Sequence, residues 1–189
     1  MRANFSSVTF YKFLACLALF FISNAARGQL IPISLDQRVA NATIIFEGKV
    51  ISKSSFWNQA HTRIYTSNVV DVYKVFKGSL VGAQVEIVTD GGIVGKNMQV
   101  VTHTLQLDVG GVGIFTGIPG DAKLSQKPNL VQLKTYAGIQ GFIRYDLRDH
   151  SASDPFAKYK SITDDVYPAI TQRTKSKIIT VKEADYKIK

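Results

Sequence analysis

The chain has 189 residues, of which 46% are hydrophobic and 20% charged, and its formal net charge is +9. This composition is that of a globular domain rather than a disordered segment, and a single cysteine excludes a disulfide framework. The basic residues are spread out, with a mild cluster at 173–189. A nucleic-acid-binding domain concentrates them in a stripe with interleaved aromatic residues, so we expect no nucleic acid partner.

The N-terminus has the order of a secretory signal peptide. Arg2 and Lys12 flank a polar start, residues 13–22 are all apolar, and small residues follow. The apolar run is about half of the roughly twenty residues that a membrane span needs. We therefore expect export, with cleavage after Gly28 or, as second choice, after Ala25, and no membrane span in the mature chain. An uncleaved anchor is the alternative.

Removal of this leader would change the charge and the cysteine content. It would leave 20 basic residues against 14 acidic ones, and no cysteine, because Cys16 lies inside the apolar run. The run continues for six residues past Cys16, whereas a lipid-modified cysteine lies at its end, so lipidation is the weaker interpretation. An exported domain of about 160 residues without disulfides must be stabilised by its core, and it buries about 70% of its unfolded surface.

The mature chain begins with a helix signal and continues with strand signals. Ser34 followed by Gln37 predicts a capping box and a short helix that closes one end of a sheet. Residues 42–117 alternate apolar and polar side chains, are rich in Val, Ile, Tyr and Phe, and are punctuated by glycines. That pattern is typical of a small curled sheet or barrel. Gly48 marks a sharp bend in the first strand.

The alternation predicts seven strands, followed by a helix. The strands are expected at about 44–50, 63–76, 84–89, 98–104, 112–117, 130–136 and 139–145. A polar loop, SSFWNQAHT, separates the first two, and 105–110 is expected to be a loop or bulge. Both faces of several strands are partly apolar, which favours a closed barrel. Ser161 and Asp164 predict a helix start, and Ile162, Val166 and Ile170 follow at four-residue steps.

The glycine-rich motifs of this sequence lack the neighbouring residues and elements that a phosphate-binding, dinucleotide-binding or catalytic site requires. The segment 90–97 is superficially similar to a phosphate-binding loop, but Asp90 displaces the first glycine and Asn97 stands where Ser or Thr should hold magnesium. A strand rather than a helix follows, so the anion would lack a helix N-terminus. The segment 110–113 also precedes a strand, and no Gly-x-Ser-x-Gly elbow exists. We therefore expect no enzyme activity, no catalytic residue and no cofactor.

The three histidines do not have the spacing of a metal site. His61, His103 and His150 are far apart in sequence, and no H-E-x-x-H motif is present. Ligands can converge in space, so a site formed by His61, His103 and Asp149 stays open as an alternative. Three loop or strand-edge histidines are the simpler interpretation, and we expect no metal.

The candidate contact residues are aromatic. Trp57, the only tryptophan, lies in the polar loop next to Phe56 and four residues before His61. An exposed aromatic side chain can anchor a ligand or partner. The alternative is that Trp57 packs over the barrel mouth.

The strand region resembles a known class of module. The series Gly48-Lys49-Val50, then residues 70–78, then 85–89 resembles the N-terminal domain of large secreted bacterial proteins that use the type IX, gliding-associated route. Several of these carry a metallopeptidase unit and a C-terminal sorting domain. The same series is more distantly similar to the OB-like barrel of netrin and tissue-inhibitor-of-metalloproteinase modules. The resemblance covers about residues 34–175.

The resemblance implies fold more than activity. Tissue inhibitors chelate the target's zinc with an N-terminal cysteine, whereas this chain would begin at Gln29 without one, so inhibition by that route is not expected. The histidine-rich zinc motif of the peptidase unit and the sorting domain are also missing from the sequence. No catalytic residue is carried over.

Together these patterns predict a mainly β protein with short helices. Residues 1–28 are expected to be a signal peptide, and 29–149 an OB-like, curled antiparallel β-barrel with a short N-terminal helix. Residues 150–189 are expected to form a helical extension that packs on the barrel, and the ending YKIK suggests truncation.

The predicted function is that of a secreted, non-enzymatic accessory or recognition module of a bacterial envelope or extracellular protein. Its partner would be another protein, or a downstream domain of a larger protein; a cell-surface polymer is an alternative partner. Two other functions stay open. One is a pro-domain or exosite of a secreted zinc metallopeptidase, and the other is a small-ligand or glycan-binding module that uses the Trp57 loop.

Overall fold

The computed structural model describes residues 30–188, and the residues from Pro32 onward form one compact unit. The predicted signal peptide, its cleavage sites and Cys16 lie outside the described residues. Within the described part of the chain, no helix is long and apolar enough to cross a membrane.

The first element is the helix α1 (Leu35–Asn41). The Ser34 side chain accepts a hydrogen bond from the Gln37 backbone N–H at 3.2 Å, and the Gln37 side chain accepts one from the Ser34 backbone N–H at 3.3 Å. The predicted capping box is confirmed, and it satisfies two of the amide donors that a helix start leaves unpaired.

The described residues after α1 are mostly in strands. These are β1 (Ile44–Trp57), β2 (Ile64–Lys77), β3 (Gln84–Asp90), β4 (Gly92–Val94), β5 (Asn97–Gln99), β6 (Val112–Pro119), β7 (Val131–Thr135), β8 (Phe142–Asp146), β9 (Ser151–Ser153), β10 (Lys158–Tyr159) and β11 (Ile179–Thr180). A single π-helical turn (Ile162–Val166) leads into the helix α2 (Tyr167–Thr174), with Pro168 in its first turn. The predicted helix start is confirmed, because the Ser161 side chain accepts from the Asp164 backbone N–H at 3.0 Å.

Five strands close into a ring. β1 pairs with β2, β2 with β3, β3 with β7, β7 with β6, and β6 again with β1. The β3–β7 pair is parallel and the other four pairs are antiparallel. This ring confirms the predicted mainly β, OB-like barrel. The expected antiparallel pairing is wrong for β3 and β7, which makes the sheet a mixed one. Strands β8, β9 and β10 extend the sheet beyond β6.

Closure of the ring depends on the sharp bend of β1. Residues 45–49 of β1 pair with β2 on one side and with β6 on the other. The β1–β2 register shifts between Glu47 and Gly48, and a Cβ at Gly48 would lie 2.6 Å from the Asp71 carbonyl oxygen and 2.7 Å from Val70 Cγ1. Only glycine allows this close approach, as the predicted bend requires.

The barrel interior is filled by aromatic and aliphatic side chains. The Phe115 ring lies 5.1 Å from that of Phe46 and 4.4 Å from that of Phe142, measured between ring centroids. Leu105 and Leu107 are buried in the same cluster, although the residues around them form no strand. The predicted strand at 98–104 is therefore wrong in extent, since only β5 at its start is a strand. The connection 100–111 instead places two leucines in the interior cluster.

A second core lies on the outside of the barrel wall. α1 contributes Val39, α2 contributes Ile170, and the π-helical turn contributes Ile162 and Val166, all at most 3% exposed. They pack against outward-facing residues of β1, β2, β6 and β8. The barrel sheet is therefore apolar on both its inner and its outer face. This agrees with the strands in the sequence whose two faces are both partly apolar.

A buried ion pair joins α1 to the β9–β10 hairpin. Arg38 Nη2 lies 2.6 Å from Asp154 Oδ2, and the two side chains are 5% and 1% exposed. Arg38 Nη1 also donates to the Gln140 carbonyl. Removal of Arg38 would leave the Asp154 carboxylate buried without its cation, with only the backbone N–H groups of Phe156 and Ala157 as donors among the described residues.

We expect Arg38→Ala to lower the free energy of unfolding by about 3–5 kcal/mol, because Asp154 would then be buried without its cation. Urea unfolding followed by circular dichroism measures this loss. The double variant Arg38→Met, Asp154→Leu is the control, and it should lose clearly less than the single variant. A single variant within about 1 kcal/mol of wild type would contradict the assignment.

Candidate functional site

A cleft of about 330 Å³ lies at the end of the barrel where β1, β2 and β3 extend beyond the ring. β6 leaves β1 at this end: Gly110 N–H donates to the Val50 carbonyl at 2.7 Å, and Val50 N–H donates to the Gly111 carbonyl at 2.9 Å. Gly110 has a φ of +87°, which turns the chain away from β1. Beyond this point β1 pairs only with β2.

The cleft has a polar floor and an apolar roof. The floor consists of inward-facing side chains of the three strands, namely Lys53, Ser55, Thr66, Asn68 and Thr89. The roof is the connection between β3 and β6, with Ile93, Met98, Val100, Leu105 and Leu107. Three of these roof residues are exposed at its rim: Ile93 by 62%, Met98 by 68% and Val100 by 67%. Clustered apolar side chains at the rim of a concave site are typical of binding surfaces.

Hydroxyl groups on the floor hold the β4–β5 hairpin in place. Ser55 Oγ lies 2.9 Å from Thr66 Oγ1 and accepts from the Ile93 backbone N–H at 3.2 Å. Thr66 Oγ1 donates to the Gly91 carbonyl at 2.7 Å. Gly92 has a φ of +144°, and a Cβ there would lie 2.3 Å from Ser55 Oγ. The lack of a side chain at Gly92 therefore permits this hairpin to contact the floor.

Asn68 is the most deeply buried polar residue of the cleft, at 1% exposed. Its Nδ2 donates to the Thr66 and Ile87 carbonyls at 3.1 and 3.0 Å and to Thr89 Oγ1 at 3.2 Å. Its Oδ1 has no hydrogen-bond partner among the described residues. An unpaired buried acceptor destabilises a fold by about 1–3 kcal/mol. Three other buried side-chain atoms of the described residues also lack a protein partner, so Asn68 Oδ1 is an acceptor without a protein donor in this floor and does not by itself mark a functional site.

The predicted contact residues lie together at the tip of the β1–β2 hairpin. β1 continues through Trp57, so the predicted loop is restricted to residues 58–63. The Trp57 ring stacks on that of His61 at 6.0 Å between centroids, and Phe56 stacks on Tyr65 at 6.1 Å. Trp57 and Phe56 are half-buried, whereas His61 is exposed. None of the three predicted residues lines the cleft.

The three histidines share a backbone conformation. His61, His103 and His150 have φ values of +52°, +59° and +61°, each in the left-handed region. Such positions are turn sites, which accounts for the scattered placement of these residues. Within residues 30–188, no three His, Cys, Asp or Glu side chains converge in a way that could hold a metal ion.

Sequence reasoning missed a buried carboxylate in the outer barrel wall. Glu47 is 0% exposed and accepts four hydrogen bonds. Its Oε2 accepts from the hydroxyls of Tyr145, at 2.9 Å, and Tyr167. Its Oε1 accepts from the Tyr186 hydroxyl at 2.9 Å and from Lys74 Nζ at 3.3 Å. Both carboxylate oxygens are fully occupied, so this cluster anchors the C-terminal residues and offers no free group to a substrate.

A second buried carboxylate holds the connection between β6 and β7. Glu86 on β3 is 0% exposed and accepts from Ser67 Oγ, from Ser125 Oγ at 2.7 Å and from the Gln126 backbone N–H at 2.9 Å. No local sequence pattern marks either carboxylate, because alternation assigns a polar residue to the solvent face of a strand.

No protein-family model matches the chain, and no curated protein matches it. Function has therefore to be inferred from the chemistry of the site itself.

Because of the tyrosines around Glu47, the stability of the fold is expected to fall at alkaline pH. Burial, with the nearby Glu47 charge, raises the pKa of Tyr145, Tyr167 and Tyr186 well above the usual value near 10. The unfolded chain releases these protons near pH 10, whereas the folded chain keeps them. Stability is therefore fully present below about pH 10 and is lost as the pH rises further.

We expect the free energy of unfolding to be level from pH 8 to about 9.5 and to fall steeply above about pH 10. In Tyr186→Phe, the stability at pH 8 falls by about 1–3 kcal/mol, because buried Glu47 loses a donor, and the alkaline slope becomes shallower. Urea unfolding at stepped pH values measures both effects. Tyr65→Phe, at the far end of β2, is the matched control. A Tyr186→Phe slope equal to that of wild type would contradict the proposed linkage.

Proposed function

We propose that this chain is a secreted, non-enzymatic recognition module and that the cleft at the open end of the barrel is its binding surface. The signal-peptide pattern at the N-terminus supports export. The mouth of a β-barrel is a common place for a ligand site.

The observation that carries this proposal is the contrast between the two faces of the cleft. Ile93, Met98 and Val100 are exposed on its rim, although most large apolar side chains of the described residues are buried. Below them lie the hydroxyls of Ser55 and Thr66, and the unpaired Asn68 Oδ1 is buried in the floor. A concave apolar surface with a few fixed polar groups suits an amphipathic partner, with the apolar part providing affinity and the polar part orientation.

The resemblance to N-terminal domains of large secreted bacterial proteins supports an accessory role. In such a role the module would hold a protein partner, or a downstream domain, at the cleft. The pro-domain or exosite alternative requires a zinc peptidase encoded next to this chain. A continuing or adjacent reading frame with H-E-x-x-H supports that alternative, and unrelated neighbouring genes count against it.

Binding in the cleft is tested by NMR. We expect hits from a library of small amphipathic compounds to shift the methyl resonances of Met98, Leu105 and Leu107 in the purified chain. The double variant Met98→Gln, Val100→Thr should weaken these hits by about tenfold or more, because the apolar rim is lost. Both residues are exposed, so the fold should be unaffected.

Val81→Thr is the matched control, because Val81 is 88% exposed and does not line the cleft. It should bind every hit as the wild type does. If hits map elsewhere on the barrel, or if the double variant binds them equally well, the cleft is not the binding surface.

A second candidate function follows from the hairpin tip. Phe56 stacks on Tyr65 and Trp57 stacks on His61, on opposite faces of the hairpin because Phe56 and Trp57 are successive residues of β1. The Trp57–His61 pair could hold a glycan or another flat ligand. The intrinsic fluorescence of Trp57 reports this directly, since it is the only tryptophan. We expect a glycan panel to shift the emission of the wild type, and His61→Ala to weaken the response. If no glycan of the panel changes the Trp57 emission, this candidate function is ruled out.

A further inference from the structure

We propose that the free edge of β1, residues 53–57, captures an extended peptide segment by strand addition, with the alternate side chains of the segment lying against the cleft. This inference rests on the proposed function, since it names the class of partner that the cleft receives. Strand addition supplies affinity through backbone hydrogen bonds and specificity through alternate side chains.

The two halves of β1 differ in their pairing. Residues 45–49 have a strand on each side, β2 and β6. Residues 52–57 pair with β2 alone. The six residues from 52 to 57 therefore have one unpaired edge, and this length is typical of an edge to which a strand can add.

The ladder shows which backbone groups lie on that edge. Asn58 N–H donates to the Arg63 carbonyl at 2.9 Å, in the same register as the pairs from 52 to 57. In an antiparallel pair, hydrogen-bonded residues alternate with non-bonded ones. The amide and carbonyl groups of Lys53, Ser55 and Trp57 consequently face away from β2. Together they offer three donors and three acceptors to an added strand.

The edge has little of the protection that natural edges carry. Edges are commonly protected by charged residues, proline or bulges. The register irregularities of β1 end at Ser52, so 53–57 is a regular strand. This segment contains no proline, and its one charged residue is Lys53, whose Nζ donates to the Leu107 carbonyl at 2.9 Å across the cleft. Ser54 and Ser55 are too small to block the approach of another chain.

The cleft defines the side chains that the captured segment needs. Lys53 and Ser55 line the cleft, so residues of an added strand on the same face would lie beside it. There they meet the apolar side chains of Ile93, Met98 and Leu107. The residues between them face away and suit polar side chains. The partner is therefore an extended segment of about six residues in which apolar and polar side chains alternate.

The first experiment uses a panel of six-residue peptides in which valine or isoleucine alternates with threonine, serine or glutamate. Binding to the purified chain is measured by NMR titration of the β1 amides and the Met98 methyl group. For the peptide that binds best, each backbone nitrogen is methylated in turn. Methylation at every second position should weaken binding by about tenfold, and methylation at the positions between by less than about twofold.

The second experiment changes the edge itself. Lys53→Pro removes the outward amide, and proline is tolerated at an edge position whose N–H faces solvent. Lys53→Gln is the matched control, because it removes the same charge and keeps the amide. We expect Lys53→Pro to weaken peptide binding by about tenfold relative to Lys53→Gln, with similar thermal unfolding of the two variants. If Lys53→Pro fails to fold, the methylation pattern alone decides.

The possible failures are distinguishable. If small compounds bind in the cleft but no alternating peptide does, or if methylation shows no two-residue period, strand addition is wrong and the proposed function stands. In that case the free edge of β1 contacts solvent and does not bind a peptide. If neither compounds nor peptides perturb the cleft, the proposed function is wrong and the inference falls with it.

Discussion

A carboxylate buried in the barrel wall determines how the rest of the chain is arranged around the barrel. Burial of an unpaired charge is prohibitive, so Glu47 must be given donors. It receives them from four elements: Lys74 on β2, Tyr145 on β8, Tyr167 on α2 and Tyr186 near the end of the described residues. Elements that are up to 139 residues apart in sequence thus share one anchor point. The second core, between the wall and α2, forms beside this anchor.

The long connections of the barrel are fixed in two different ways. The connection between β6 and β7 is held by Glu86, through serine hydroxyls and backbone amides. The connection between β3 and β6 is held by Leu105 and Leu107 in the interior and by the hydroxyls of Ser55 and Thr66. These hydroxyl hydrogen bonds and the two leucine side chains hold the β3–β6 connection at a few points, whereas close packing would hold it along its whole length. A cleft therefore remains beneath this connection.

The sequence predicted the features that depend on local chemistry. Alternation located most of the strands, and the capping residues located both helix starts, because periodicity and capping are short-range effects. The prediction of a loop around Trp57 was wrong, because the serine-rich stretch before Trp57 lacks apolar alternation. Only its pairing with β2 makes that stretch a strand. The tyrosines of Glu47 and the parallel β3–β7 pair depend on contacts between distant segments. The cleft was missed for the same reason, since its roof is an irregular connection without a repeating pattern.

The open edge of β1 is a consequence of the way the barrel closes. Fourteen residues make β1 longer than the eight of β6, its partner in closure. The bend at Gly48 brings the first half of β1 into the ring, and the turn at Gly110 and Gly111 ends the contribution of β6. The second half of β1 must then extend beyond the ring with one edge unpaired. The pairing that closes the ring and the unpaired edge thus belong to one strand, and the turn at Gly110 and Gly111, where β6 leaves β1, divides the two parts.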